Sequence, residues 1–191
     1  MPRDVFVEQT LARRNDMAYR ILYWTLWAAV AVLGFYSALS LFNIIAYTQD
    51  GEIRINLIAA IITVAAGALA IFVYRKTDDV RIEYDYAFTN GILDVSRVMN
   101  RRRRRYMMEL DLKTVERAGY AGDGEFERLR RSGTYRLLDF TLNRGAEKMY
   151  FAFAKNGKNY IALIEPSQEM ESAIRSRAWL PQGVLRDKGT I

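Results

Sequence analysis

This chain has no cysteine and no histidine. The first absence excludes a disulfide framework and a thiol nucleophile. The second excludes histidine-based triads, and the two together exclude the common zinc sites. Neither a GxxxxGK[ST] phosphate loop nor a GxGxxG strand-to-helix turn is present. Gly119 to Gly124 is glycine-rich but lacks a following lysine and a firm helix, so it reads as a loop. Asp78-Asp79 and Asp123-Gly124-Glu125 could in principle be weak metal sites, but surface charge is the simpler reading. No catalytic residue, cofactor or metal is therefore expected, and the chain is read as a non-enzyme.

Charge itself is missing from two long stretches, Ile21 to Gln49 and Ile55 to Tyr74. The second is 20 residues long, the length of helix that crosses a hydrocarbon core of roughly 30 Å. Only Asp50, Gly51, Glu52, Ile53 and Arg54 separate the two. The pattern predicts a two-helix transmembrane hairpin over 21–74, with spans at about 22–47 and 55–74. Apart from tyrosine, neither span holds an ionisable residue, which argues against ion or proton translocation. The first run is too long for a secretory h-region, and a second span follows it, so a cleaved signal peptide is not expected.

Orientation follows from the flanks. Arg13, Arg14 and Arg20 precede the first span, Arg75 and Lys76 follow the second, and the intervening loop is acidic. Basic flanks stay cytoplasmic, so both termini are expected inside. Tyr19, Tyr23, Trp24, Trp27 and Tyr74 would mark the inner interface and Tyr47 the outer one. Asn43 and Asn56, near the outer ends, are expected to bond across the hairpin or to headgroups. Ala31, Gly34 and Ala38 share one face of the first span, and Ala59, Thr63 and Gly67 recur every four residues in the second. Such spacing lets helices approach closely. The two spans packing on each other is the plain reading; a homodimer or a partner helix is the alternative.

Beyond the spans the period changes to two. Val80, Ile82, Tyr84, Tyr86 and Phe88 are apolar with Arg81, Glu83 and Asp85 between them, as on a strand with one buried face. Thr89-Asn90-Gly91 makes a turn, and Ile92 to Met99 returns with Leu93 and Val95 inward. Further strands are expected around Tyr106–Leu112, Val115, Leu138–Leu142, Met149–Phe153 and Tyr160–Ile164. One helical turn is expected at Glu125 to Arg130. Ser167 should N-cap a final helix with Met170, Ile174 and Ala178 on one face, stopped by Pro181. This gives an N-terminal cytoplasmic segment (1–20), the hairpin, a β domain (78–181) and a mobile tail (182–191).

Six or seven antiparallel strands capped by a C-terminal helix resemble the pleckstrin-homology-like fold. Tyr86-Ala87-Phe88-Thr89-Asn90-Gly91-Ile92-Leu93 resembles the first hairpin of bacterial pleckstrin-homology domains. Together with Val5-Phe6-Val7-Glu8-Gln9, Glu83 to Leu93 and Tyr150 to Pro166, the chain resembles a family of two-span bacterial membrane proteins from Firmicutes. That resemblance implies a multi-pass protein of the bacterial cell membrane and lends no activity. Phosphoinositide-binding relatives use the loop between the first two strands, which here holds no basic residue.

Arg101, Arg102, Arg103, Arg104 and Arg105 form the sharpest local feature. A chain entering from Arg75 and Lys76 runs out along one strand and back along the next. The arginines are then expected at the inner leaflet, each gaining about 1 kcal/mol from anionic headgroups. A solvated loop is the plain alternative. Nucleic acid is disfavoured, since no recognition motif surrounds the run. The function read from all this is a membrane-anchored interaction or scaffolding module with an unidentified protein partner. The alternative is an accessory subunit docked through its hairpin.

Overall fold

The computed structural model describes residues 4–14, 17–47, 53–175 and 179–185. The chain forms two compact units, one of residues 15–82 and one of residues 1–14 with 83–191.

The 15–82 unit is a helical hairpin. Helix α1 spans Met17–Phe42, and α2 spans Leu57–Val80. At 26 and 24 residues they measure about 39 and 36 Å. Both are long and apolar enough to cross a membrane. A two-strand ribbon joins them, β2 (Ile45–Tyr47) against β3 (Ile53–Ile55), with Ile45 opposite Ile55. The first span was expected to stay helical to about residue 47. It stops at Phe42 because Asn43 and Ile44 close a turn onto Ser40 and Leu41, and the β-branched residues beyond pair across the loop. The asparagine side chains also bond locally rather than across the hairpin. Asn56 caps α2 by accepting from Ala59 N–H at 3.2 Å, and Asn43 donates to the Leu39 carbonyl at 3.3 Å. Helix α2 continues past residue 74, where the span was expected to end, through Arg75 to Val80, which was expected to open the first strand.

Among the described residues, the second unit holds eight strands. One sheet has the order β1-β4-β5-β6 and the other β7-β9-β10-β8. In chain order these are β1 (Phe6–Leu11), β4 (Ile82–Thr89), β5 (Ile92–Met99), β6 (Arg103–Asp111), β7 (Val115–Tyr120), β8 (Tyr135–Asp139), β9 (Met149–Lys155) and β10 (Lys158–Ile164). Helix α3 (Gly124–Arg131) is two full turns where one was expected, and Asp123 caps it. Helix α4 (Gln168–Arg175) closes the fold, with the Ser167 hydroxyl accepting from Met170 N–H. The expected continuation to Ala178 lies outside the described residues. The expectation of antiparallel strands needs one correction: β8 runs parallel to β10, at the sheet edge.

The core forms between the sheets and under α4. Tyr86, Phe88, Leu93, Val95, Phe151, Ile164, Met170 and Ile174 are all essentially inaccessible. At one end Trp179 packs on the Asn90-Gly91 turn, edge-on to Phe88 at 6.0 Å. Both turn residues have positive φ, 49° and 94°, as a two-residue hairpin with primed geometry requires.

Strand β1 was not anticipated. Residues 4–14 were assigned to a separate N-terminal segment, yet Phe6 to Leu11 pair antiparallel with Thr89 to Tyr84. Side-chain clasps hold the strand. Gln9 accepts from Ser167 N–H at 2.6 Å and donates to the Glu165 carbonyl at 2.9 Å. The Asn143 amide oxygen accepts from Arg14 N–H at 2.8 Å. The Glu165 carboxylate, 3% exposed, accepts from the Leu142 and Asn143 amides at 3.1 Å each and from Asn143 Nδ2 at 2.6 Å. The tail is not featureless either. The Val184 carbonyl accepts from Ala118 N–H at 3.1 Å, and residues 186–191 lie outside the described residues.

Candidate functional site

The five arginines do not form one loop. Asn100 and Arg101 take left-handed backbone, at φ 49° and 54°. The turn closes through Arg102 N–H to the Met99 carbonyl. Arg103 already faces Met99, so Arg103 to Arg105 begin β6. The run therefore occupies the tip and one arm of the β5–β6 hairpin.

Strand alternation then divides the arginines by face. Arg101 Nε lies 3.1 Å from Glu83 and Arg104 3.7 Å from Asp85, both carboxylates of β4. On the other face Arg105 stands directly opposite Arg97. Arg97 shares parity with Leu93 and Val95, so this is the core-side face, extended past the end of the core. Tyr84 is half-buried there. Burial pushes its phenol up, the Arg97 charge opposes that shift, Asp139 adds to it and Arg13 opposes it. Arg13 follows Leu11, the partner of Tyr84, by two residues. Its own pKa is lowered by burial. Sequence reasoning missed Arg13 and Arg97. The available signal was a charged residue at inward parity on a strand.

Farther along, the register slips between Val95 and Ser96, leaving Met107 as the extra residue of β6. The slip turns Tyr106 toward Glu109, to which its hydroxyl donates at 3.5 Å. A bulge beside arginines blunts the free edge of β6 against pairing with another strand. Asp94 faces Glu109 across this end of the ladder. Burial chiefly, and Glu109 next, hold the Asp94 carboxyl above its ordinary range.

The remaining predicted residues fall in the helical unit. Arg75 and Lys76 lie exposed on the last turns of α2, with Lys76 3.6 Å from Asp79. Ala59 and Thr63 are buried against α1, and the Ser37 hydroxyl donates to the Thr63 carbonyl at 3.0 Å. A β-carbon on Gly67 would sit 3.3 Å from Ser37 Oγ. Ala31, Gly34 and Ala38 are exposed, and nothing lies within 4 Å of a β-carbon built on Gly34. The helices therefore meet through one predicted small-residue face, not both.

Elsewhere, buried Glu125 is held between Arg117 and Arg128, and the Tyr120 hydroxyl joins Glu171 to Arg175. The ion pair from Arg117 fastens α3 to the sheet, and the Tyr120 hydrogen bonds fasten α4.

A family model described as "Bacterial PH-like domain (DUF6106)" matches residues 3–184. That span takes in β1, both long helices and the β domain. No curated protein and no solved structure matches this chain.

Proposed function

The chain belongs to the bacterial PH-like domain family, and from that premise we propose that it is a membrane-anchored, non-catalytic interaction or scaffolding module. The observation that carries this reading is the placing of the helices within the domain. The chain leaves the sheet after β1, forms α1 and α2, and returns to the same sheet at β4. A membrane crossed in between must be crossed an even number of times, and two helices supply two crossings. Their outer surfaces are apolar, with Trp24, Phe35, Ile58, Ile61, Val64 and Ile71 all exposed. Water would disfavour such a surface and lipid favours it. Loss of a leader by cleavage is also disfavoured, since it would remove β1.

The basic flanks at Arg13, Arg14, Arg75 and Lys76 favour a cytoplasmic domain in the bacterial cell membrane, with both termini inside. The arginine hairpin supplies the lipid contact. Its tip lies at the end of the sheet where the chain enters β4, as the Arg101–Glu83 pair records. Arg75, Lys76 and Arg101 to Arg105 are the residues assigned to anionic headgroups, each worth about 1 kcal/mol.

A second reading, an accessory subunit docked through its helices, draws on the exposed Ala31, Gly34 and Ala38 face. Crosslinking from native membranes tests both. Two baits are compared, the full chain and a variant in which a short linker replaces residues 15–82. Partners shared by both baits support the module. Partners seen only with the full chain support the subunit. A reporter active only outside the cell, placed at Gly51, should be active, and one after Ile191 silent; the reverse would overturn the orientation.

A further inference from the structure

We propose that the cleft between the first residues of β8 and β10 binds a water-soluble phosphomonoester, held by Arg136 and Lys158. The cleft is separate from the arginine hairpin and owes nothing to the lipid contact.

The parallel strand pair creates the cleft. Strand β8 runs beside β10 with Tyr135 opposite Asn159 and Arg136 opposite Tyr160. Both strands therefore begin at the same end, and the loops leading into them lie side by side. Gly133 and Gly157 take left-handed backbone in those loops, at φ 69° and 71°, and nothing lies within 4 Å of a β-carbon built on either. The opening between them is a cavity of about 560 Å³, a size usual for small-molecule sites. Arg136, Lys158, Thr134, Asn159 and Tyr135 line it. Tyr135 also packs on the apolar cluster under α3, which fixes that wall.

Charge selects the ligand. Lys158 precedes Tyr160 by two residues and Arg136 neighbours Tyr160, so both cations share one face of the sheet. Lys155 of β9 stands directly opposite Lys158, on the same face. Like charges so placed are destabilising, and an anion between them turns repulsion into attraction. Among the described residues, no carboxylate pairs with Arg136, Lys155 or Lys158, and none lines the cavity. The arginines just upstream differ, since Arg128 pairs with Glu125 and Arg130 and Arg131 pair with Glu127. Three cations without a counter-charge suit a dianion, and a planar guanidinium matches two phosphate oxygens at once. The Thr134 hydroxyl and Asn159 amide add neutral donors. The cavity exceeds a phosphate group in size, and Tyr135 offers a ring to whatever carries the phosphate.

Position favours a soluble ligand over a lipid. Lys158 and Leu163 stand near opposite ends of β10, about 17 Å apart. The Leu163 carbonyl accepts from Phe140 N–H at 3.0 Å, and Phe140 packs edge-on to Tyr84 at 5.7 Å. Tyr84 lies near the start of β4, where the chain arrives from α2. The cavity is therefore at the far end of β10 from that entry.

Titration calorimetry of the full chain in phosphatidylcholine nanodiscs provides the test, with phenyl phosphate, inorganic phosphate and phenol as probes. Saturable one-site binding of phenyl phosphate is expected, and none of phenol. Arg136→Gln and Lys158→Gln should each weaken it about fivefold, the effect of one exposed ion pair. Both side chains are exposed, so neither change should lower the melting temperature without ligand. Lys155→Gln should leave that temperature unchanged or higher, because it relieves the repulsion. Arg144→Gln removes an equal charge from the exposed turn before β9 and should leave binding unchanged. Inorganic phosphate binding as tightly as phenyl phosphate would make the anion sufficient. Weaker binding would assign part of the affinity to the Tyr135 wall, and either result supports the site. Equal weakening by Arg144→Gln would reduce the site to diffuse charge and overturn it. Phenol binding as tightly as phenyl phosphate, or no saturable binding at all, would overturn it too. Binding present in detergent micelles but lost in nanodiscs would overturn the assignment to a soluble ligand.

Discussion

Removing the Glu165 carboxylate should cost the β domain a large share of its stability. Its two oxygens accept three hydrogen bonds, from the Leu142 and Asn143 amides and from Asn143 Nδ2, at 3.1, 3.1 and 2.6 Å. With Glu165 3% exposed, water does not replace them. Bonds to a charged group contribute about 1.5–3 kcal/mol each, but they share one acceptor and are not additive. Glu165→Ala is therefore expected to cost about 3–5 kcal/mol, against about 5–15 kcal/mol for a whole domain. That should lower the melting temperature by at least about 12 °C in a domain of this size. Gln9→Ala removes two neutral bonds to the same corner, at about 1 kcal/mol each. The double substitution should cost less than the sum, because both residues anchor β1 to one segment. Urea unfolding of the variant with a linker in place of residues 15–82 measures each value in water. A loss below about 1 kcal/mol for Glu165→Ala, or strict additivity with Gln9→Ala, would refute the clasp.

Three further outcomes follow from other parts of the fold. A fragment of residues 78–181, which lacks β1, should be less stable than the linker variant and more prone to associate, because β4 becomes a bare edge; equal urea midpoints would contradict this. Gly91→Ala should cost about 1–3 kcal/mol in thermal unfolding, since the turn needs φ 94° and the new β-carbon would lie 2.7 Å from the Trp179 ring. Asp94→Asn should raise the melting temperature at neutral pH. The folded-state pKa of Asp94 lies above the unfolded one, so its ionisation weakens the fold as pH rises through that window, and the gain should vanish below about pH 4.

The helices, the turns and the principal strands were legible because each rests on a local signal: length without charge, period two, or Asn-Gly. Tyr86, Phe140, Phe151, Phe153 and Ile174 were expected in the core and are buried, while Tyr84 is only half-buried at the rim. Strand β1 was illegible because it is six residues long, its inner face carries the polar Gln9 while Phe6 lies exposed, and its partner lies beyond two helices. Pairing over such a separation leaves no local trace. The parallel placement of β8 was hidden for the same reason. At the arginine run the composition was plain but the faces were not. Which arginine meets a carboxylate depends on register, and a one-residue shift exchanges the faces. Arg97 could have been suspected from its inward parity alone.

The interrupted sheet also sets a schedule for synthesis. Strand β1 emerges from the ribosome before its partner β4, and 70 residues lie between Leu11 and Ile82. At about 5–20 residues per second, the interval is about 4–14 s. Throughout it, Gln9 and the inward side of β1 have no sheet to join. The clasp residues Asn143, Glu165 and Ser167 arrive later still. Closing so long a loop is entropically costly for a free chain, but two helices already associated bring its ends together. Assembly of the helical pair should therefore come first and the sheet close around its own beginning, so a nascent chain whose helices fail to meet would keep an unpaired strand for the quality-control machinery to find.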